Sequence, residues 1–442
     1  MRTLARSALS IGAAALFGGC GGSQSAFPPP TQLISQLQNR VPTTANGYKV
    51  LYSFNGGADG EYPSGELTAV NGVLYGVTSN GGSGCPPYGC GTVFSISASG
   101  QEKVLYSFQS GSDGNDPTGA LLVVSGTLYG TTRLGGCNPS GCRSSYCSSY
   151  GGCGTVFKIS TSGEEQVLYR FQGGNDGYYP SGELTSLNGV LFGTTGNGGN
   201  DNGTVFSTTT SGTEAVLYRF KGGKDGATPN APLIALKGVL YGTTNSGGHC
   251  VIQAGCGTVF KVTASGHETV LYRFKGSSYS DYSKDGGNPA AGLLALKGTL
   301  YGTTAFGGKG PCQICQKWGT VFDVSSSGAE RVMHRFDGGD GKIPYSKLIA
   351  VGGVLYGTTT GGGPGYCDGS TGYGCGVIFR MNAAGKEDVL YDFMGNYSAG
   401  DGAYPYAGLT ALNGSLYGVT VAGGQSSCEG GYGCGTVFKI AP

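Results

Sequence analysis

Charge is scarce in this sequence. Lysine, arginine, aspartate and glutamate make up 12% of its 442 residues and nearly cancel, leaving a formal net charge of +1. A nucleic-acid partner is usually met by a basic face, so the composition argues against that class. Histidine is scarcer still, with only His249, His267 and His334. Neither a GxSxG nor an HExxH pattern occurs, which removes the familiar signatures of nucleophile-elbow hydrolases and zinc proteases. Beyond the N-terminus, no apolar run approaches the roughly 20 residues that span a bilayer as a helix.

Glycine, by contrast, is abundant, at 89 residues, and strictly placed. Seven copies of one unit run through the chain: VLYxF, DGxxPxxxL, a Gly-ended turn, LYGxT, a Gly-Gly pair, a loop of changing length, and GTVFxxxxSGxE. A period of about 50 residues marks one repeat array rather than several domains. The chain begins the pattern at Val50–Phe54 and leaves it at Gly435–Ile440, so its first strand is the one its last copy lacks. That arrangement predicts a closed ring.

Within a copy, turn signals separate four β-rich stretches, in the first unit Glu66–Val70, Val73–Thr78, Thr92–Ser97 and Lys103–Phe108. The first turn recurs as Asn71-Gly72, Ser125-Gly126, Asn188-Gly189, Lys237-Gly238, Lys297-Gly298, Gly352-Gly353 and Asn413-Gly414. It reads as a two-residue hairpin whose second residue needs positive φ. The fold class is therefore all-β: a seven-bladed β-propeller of four-stranded antiparallel blades, closed by the N-terminal strand joining the C-terminal blade. Sheets covered on both faces explain apolar runs such as Val-Leu-Tyr, and Tyr75, Phe94, Tyr106 and their counterparts are expected to fill the wedges between blades.

These motifs resemble the GloVer tandem-repeat proteins of bacterial envelopes, over residues 48–442. The resemblance implies an exported or surface-anchored repeat domain and no particular activity. The N-terminus supports export. Arg2 and Arg6 precede an apolar stretch from Ala8 to Phe17, and Phe17-Gly18-Gly19-Cys20 resembles the bacterial lipoprotein pattern in which the cysteine is lipidated. Residues 1–20 then read as a lipoprotein-type signal peptide, residues 21–46 as a solvated tether, and residues 48–442 as the propeller. Localisation at the bacterial envelope follows, periplasmic or cell-surface, with membrane contact through the lipid anchor alone. Cysteine arithmetic agrees, because fourteen of the fifteen lie in repeat loops and leave Cys20 over.

Antiparallel strands put alternate turns on opposite faces. One face carries tight turns of nearly constant length; the other carries the long variable loops, the usual place for recognition in a repeat scaffold. Those loops hold Cys85 and Cys90; Cys137, Cys142, Cys147 and Cys153; Cys250 and Cys256; Cys312 and Cys315; Cys367 and Cys375; Cys428 and Cys434. Even numbers in each loop predict local disulfides in an oxidising compartment. A zinc site at Cys137 to Cys153, a redox pair at Cys312 and Cys315, and a metal site involving His249 are the competing readings. Tyr88, Tyr146, Tyr150, Tyr279, Tyr282, Tyr366, Tyr373 and Tyr432 stand in the same loops and suit a glycan or protein surface.

Asp59, Asp113, Asp176, Asp225, Asp285, Asp340 and Asp401 open the DGxxP motifs. They fit a ring of cation-binding carboxylates or a repeated Asx-type turn, and sevenfold repetition favours the turn. Glu102, Glu165, Glu214, Glu268, Glu330 and Glu387 after the Ser-Gly turns read as turn or strand-pairing residues. Before the leading Leu of each inner strand stand Glu66, Ala120, Glu183, Pro232, Gly292, Lys347 and Gly408. The expectation is a monomeric binding or scaffold module with a protein or glycan partner, no catalytic residue, no metal and no cofactor. A glycan-active hydrolase or lyase using the channel carboxylates Glu66 and Glu183 is the alternative.

Overall fold

The computed structural model describes residues 47–136, 147, 152–248, 256–275, 285–308, 318–365, 367, 374–395, 400–424, 428 and 433–442. Seven antiparallel sheets follow one another along the chain and share one strand order. The second blade is representative: Asn115–Val124, Thr127–Leu134, Thr155–Ile159 and Glu165–Arg170 pair in succession from the axis outwards. In the last blade, Thr410–Leu412, Ser415–Thr420 and Thr436–Ile440 take Lys49–Ser53 as their outer strand, with Lys49 opposite Lys439 and Ser53 opposite Thr436. The ring closes as its sequence requires, and no sheet edge is left without the strand its siblings have.

Strand boundaries in the first blade differ from expectation by a few residues. The inner strand is Thr68–Val70 preceded by a short Glu61–Pro63 segment, and the second extends to Asn80. The inner hairpin is the expected two-residue turn, and its first residue joins the second at positive φ: Asn71 and Gly72 stand at 50° and 82°, the pair that makes a primed turn match strand twist. The Val-Leu-Tyr run has a second cause beyond two-sided burial. Val104 faces Phe94 and Tyr106 faces Val93, so Leu105 is the extra residue of a β-bulge, and the same shift recurs in the other outer strands. The bulge turns the tyrosine towards the next blade.

Phenylalanine holds blade to blade. Phe108 of VLYxF meets Phe157 of the next GTVF edge to face at 5.1 Å, and six further pairs repeat this, ending with Phe393 and Phe438 at 5.5 Å. Both rings of each pair are fully buried, a geometry worth about 0.5–1.5 kcal/mol beyond area burial. This explains the glycine of LYGxT. A Cβ on Gly193 would stand 2.6 Å from Phe206 Cζ and 2.9 Å from Leu184 Cδ2.

A second device latches the ring at each DGxxP. The residue before the proline adopts φ near +57° at Tyr62, Asp116, Tyr179, Thr228 and Tyr404. Its N–H then donates to the preceding blade, as in Asp116 to Cys90 O at 3.1 Å and, across the closure, Tyr62 to Cys434 O at 3.0 Å. Left-handed backbone before a proline is disfavoured locally, and these inter-blade bonds hold it in place.

Candidate functional site

Inner-strand residues from blades far apart in sequence meet at the axis. Lys347 of the sixth blade reaches Glu183 of the third, Nζ to Oε2 at 3.3 Å. Glu66 of the first blade completes the trio. Burial pushes its carboxyl up to about 7 and Glu183 adds to the rise, while Lys347 opposes it. Burial alone would lower Lys347, but the two carboxylates prevail and its ammonium is held above the usual range. A Cβ on Gly408 would lie 2.8 Å from Glu66 Oε2. The structure thus places the two sequence-identified channel carboxylates near enough to act on each other and on one lysine. The Lys347–Glu183 pair ties blades three and six across the axis.

One turn nearer the variable-loop face, the sevenfold pattern breaks. Tyr345 and Tyr406, two residues before Lys347 and Gly408, stack at 4.9 Å. Tyr406 is 41% exposed; with Tyr88 at 56% it is one of two exposed large hydrophobics among the described residues. Burial and Tyr345 push the Tyr406 phenol up, and the Arg133 charge acts against them. Arg133 lies 5.2 Å from the Tyr179 ring centroid and 3.8 Å from Asp116 Oδ2. The desolvated Asp116 carboxyl is raised to about 6 despite that guanidinium. Arg133 is the penultimate residue of the strand Thr127–Leu134, next to Gly135-Gly136, and Asp116 and Tyr179 precede inner-strand prolines, so this group opens on the loop face. Sequence reading had found Tyr88 but not Tyr345, Tyr406 or Arg133, because each stands at an ordinary motif position.

The DGxxP aspartates are structural. Asp113 accepts the Tyr106 hydroxyl at 2.9 Å and the Gln109 N–H at 2.6 Å, and five other copies repeat both bonds. The glutamate of the following blade joins them. Glu102, Glu165, Glu214, Glu268 and Glu330 are raised to about 7, first by burial and then by the facing aspartate, against a lowering hydrogen bond from the tyrosine. The Oε1 atom of each is buried with no hydrogen-bond partner, as suits a neutral acid better than a carboxylate. Each blade junction is therefore a Tyr–Asp–Glu station. Two stations depart from it. His334 replaces tyrosine at the junction with Asp340 and Glu387, and Tyr48 replaces glutamate at the closure, stacking on Tyr391 at 3.8 Å.

On the loop face, Cys85–Cys90, Cys147–Cys153, Cys367–Cys375 and Cys428–Cys434 are disulfides, and Cys256 is also disulfide-bonded. Loops of 5 to 8 residues give each bridge about 2 kcal/mol by closure entropy. The Cys147–Cys153 bond removes two of the four thiols a zinc site there would need. Cys20, Cys137, Cys142, Cys250, Cys312, Cys315 and His249 lie outside the described residues, as do Tyr146, Tyr150, Tyr279, Tyr282, Tyr366, Tyr373 and Tyr432.

The repeat described as Gloeobacter/Verrucomicrobia repeat matches residues 40–144 and 142–369. The chain belongs to this family. In this chain the repeat forms the propeller blades described above. No curated protein matches. Among solved structures, the chain is similar to a protein from Lactobacillus plantarum, with 14% identity, 76% of this chain and 85% of that one covered, and a TM-score of 0.46. A gluconolactonase from Xanthomonas campestris has 13% identity over 72% and 86% of the two chains, with a TM-score of 0.40. The tricorn protease has 10% identity and a TM-score of 0.40, over 76% of this chain, which spans 27% of that protein's length.

Proposed function

We propose that the propeller is a glycan-binding module of the bacterial envelope, exported and anchored through Cys20, which presents its axial opening and disulfide-stapled loops as one binding face. The observation that carries the reading is the broken symmetry at that opening. Six or seven copies keep the same residues at their junctions, but only two copies place a tyrosine after the proline, Tyr345 and Tyr406, only one follows LYGTT with an arginine, Arg133, and these meet beside Tyr179 and the variable loops. Paired aromatic faces bury sugar area at little entropic cost, and a half-exposed guanidinium supplies fork-shaped donors for hydroxyl or carboxylate groups. Local disulfides order the loops beforehand, which lowers the cost of binding.

A glycan array probed with residues 48–442, alongside Tyr406→Ala, Arg133→Ala and a loop-trimmed version, tests this. Capture by the wild type and loss in the variants, at unchanged melting temperature, supports it. Equal capture by all four removes the face from consideration, and capture of envelope proteins but no glycan would replace glycan with protein.

One observation favours the hydrolase alternative: Glu66 is held near neutral pKa beside an ion-paired Glu183, the acid and carboxylate pairing of many glycosidases. Against it, Glu183 is held in its ion pair with Lys347. Turnover by the wild type that disappears in Glu66→Gln/Glu183→Gln would establish the enzyme.

A further inference from the structure

We infer that the junction of the fifth and sixth blades is a structural binding site for one divalent first-row transition cation, held by His334, Asp340 and Glu387. The three residues come from different elements. His334 lies in the outer strand Glu330–Arg335 of the fifth blade, Asp340 in the turn leading to the sixth, and Glu387 opens the sixth blade's outer strand Glu387–Asp392. One donor atom from each lies within 4.8 Å of the others. His334 Nε2 and Asp340 Oδ2 are 2.9 Å apart.

The comparison within the ring gives the second observation. Six of the seven junctions place a tyrosine hydroxyl against this aspartate, a neutral group that donates a proton. This junction alone substitutes an imidazole nitrogen, a metal ligand that leaves the two carboxylates in place. Imidazole with two carboxylates is a donor set for zinc and its neighbours, and its two negative charges balance the dication. The ligands are also fixed. The His334 ring packs edge to face on Phe336 at 4.9 Å, and Asp340 Oδ1 accepts the Asp337 N–H at 2.8 Å, leaving Oδ2 to the histidine. Outer contacts of this kind orient ligands in metal sites. The nearby Lys342 is turned over the Trp318 ring at 4.9 Å. Side-chain exposures of 17% and 11% for His334 and Asp340 leave little room for substrate, so the cation would pin two blades together.

The test uses zinc itself. Residues 48–442, oxidised and stripped with chelator, are titrated with zinc chloride by calorimetry, with magnesium as control, and melted with and without zinc. The expected result is one equivalent bound and, at a hundredfold excess over Kd, a Tm rise of about 3 °C. His334→Tyr restores the residue of the other junctions and should fold with its metal-free Tm intact while losing both responses. Glu387→Gln, which keeps size and shape, should lose them too, and serves if the first variant folds poorly. A wild type that takes up no zinc overturns the site. Equal uptake by wild type and variants overturns it as well, since the ion would be bound elsewhere.

Discussion

The five carboxyl groups at Glu102, Glu165, Glu214, Glu268 and Glu330 make the stability of the ring fall as pH rises. Each has a folded pKa of about 7 against about 4.3 in the unfolded chain. A raised folded pKa on an acid means that the folded state binds more protons between those values. Stability is therefore greatest near pH 4 to 5 and is lost as pH climbs through 7. The full shift would correspond to several kcal/mol per group, but these side chains are only half buried and solvent screening reduces it to roughly 1 kcal/mol each. Replacing all five by glutamine removes the titration while keeping the shape. At pH 5 the variant and wild type should melt together. At pH 8 the variant should be more stable by about 5 kcal/mol, or about 6 °C for a ring of this size. Differential scanning calorimetry at the two pH values measures the difference, and subtracting the wild type cancels the contributions of Glu66 and Asp116. If the quintuple variant melts lower than wild type at pH 8, the glutamates are ionised hydrogen-bond acceptors and the neutral-acid account of the stations fails.

Deleting residues 48–54 should abolish cooperative melting near the wild-type Tm, and the milder Tyr48→Ala, which removes the stack on Tyr391, should cost about 3 kcal/mol; an unchanged Tm in the deletion would contradict ring closure. Lys347→Met strands two carboxylates at the axis and should cost about 2 kcal/mol, much of it recovered by adding Glu183→Gln; no recovery would mean the lysine acts through packing alone. Gly193→Ala should destabilise by roughly 3 kcal/mol, because its methyl group overlaps Phe206 and Leu184; a neutral result would show the inter-blade wedge to be loosely packed. Thiol titration of the denatured, unreduced protein should find Cys85, Cys90, Cys147, Cys153, Cys256, Cys367, Cys375, Cys428 and Cys434 unreactive, and peptide mapping that recovers any of them alkylated would remove that bridge.

What could be read from the sequence is what repeats at short range. The Asn71-Gly72 turn, the four strands and the shared strand at residues 49–53 follow from hairpin chemistry and from a pattern whose two ends complete each other. The bulge at Leu105 was hidden because an extra residue looks the same as a longer apolar run. The stations were hidden for a different reason. Asp113 is seven residues from Tyr106, but its glutamate, Glu165, belongs to the next blade, 52 residues on, so a motif listing separates groups that the ring brings together. Once the station is known, its departures become legible without coordinates. Tyr48 falls in the slot that Glu102 fills in the next copy, three residues before the bulged leucine, and His334 falls in the slot of Tyr106. A repeat protein reports its special sites as exceptions to its own rule. At the closure the exception follows from the chain's topology: two strands far apart in sequence must find each other, and an aromatic stack with a hydroxyl bond from Tyr48 to the Asp401 carbonyl holds them without a glutamate. The seam therefore lacks the glutamate that weakens the five Tyr–Asp–Glu stations as pH rises.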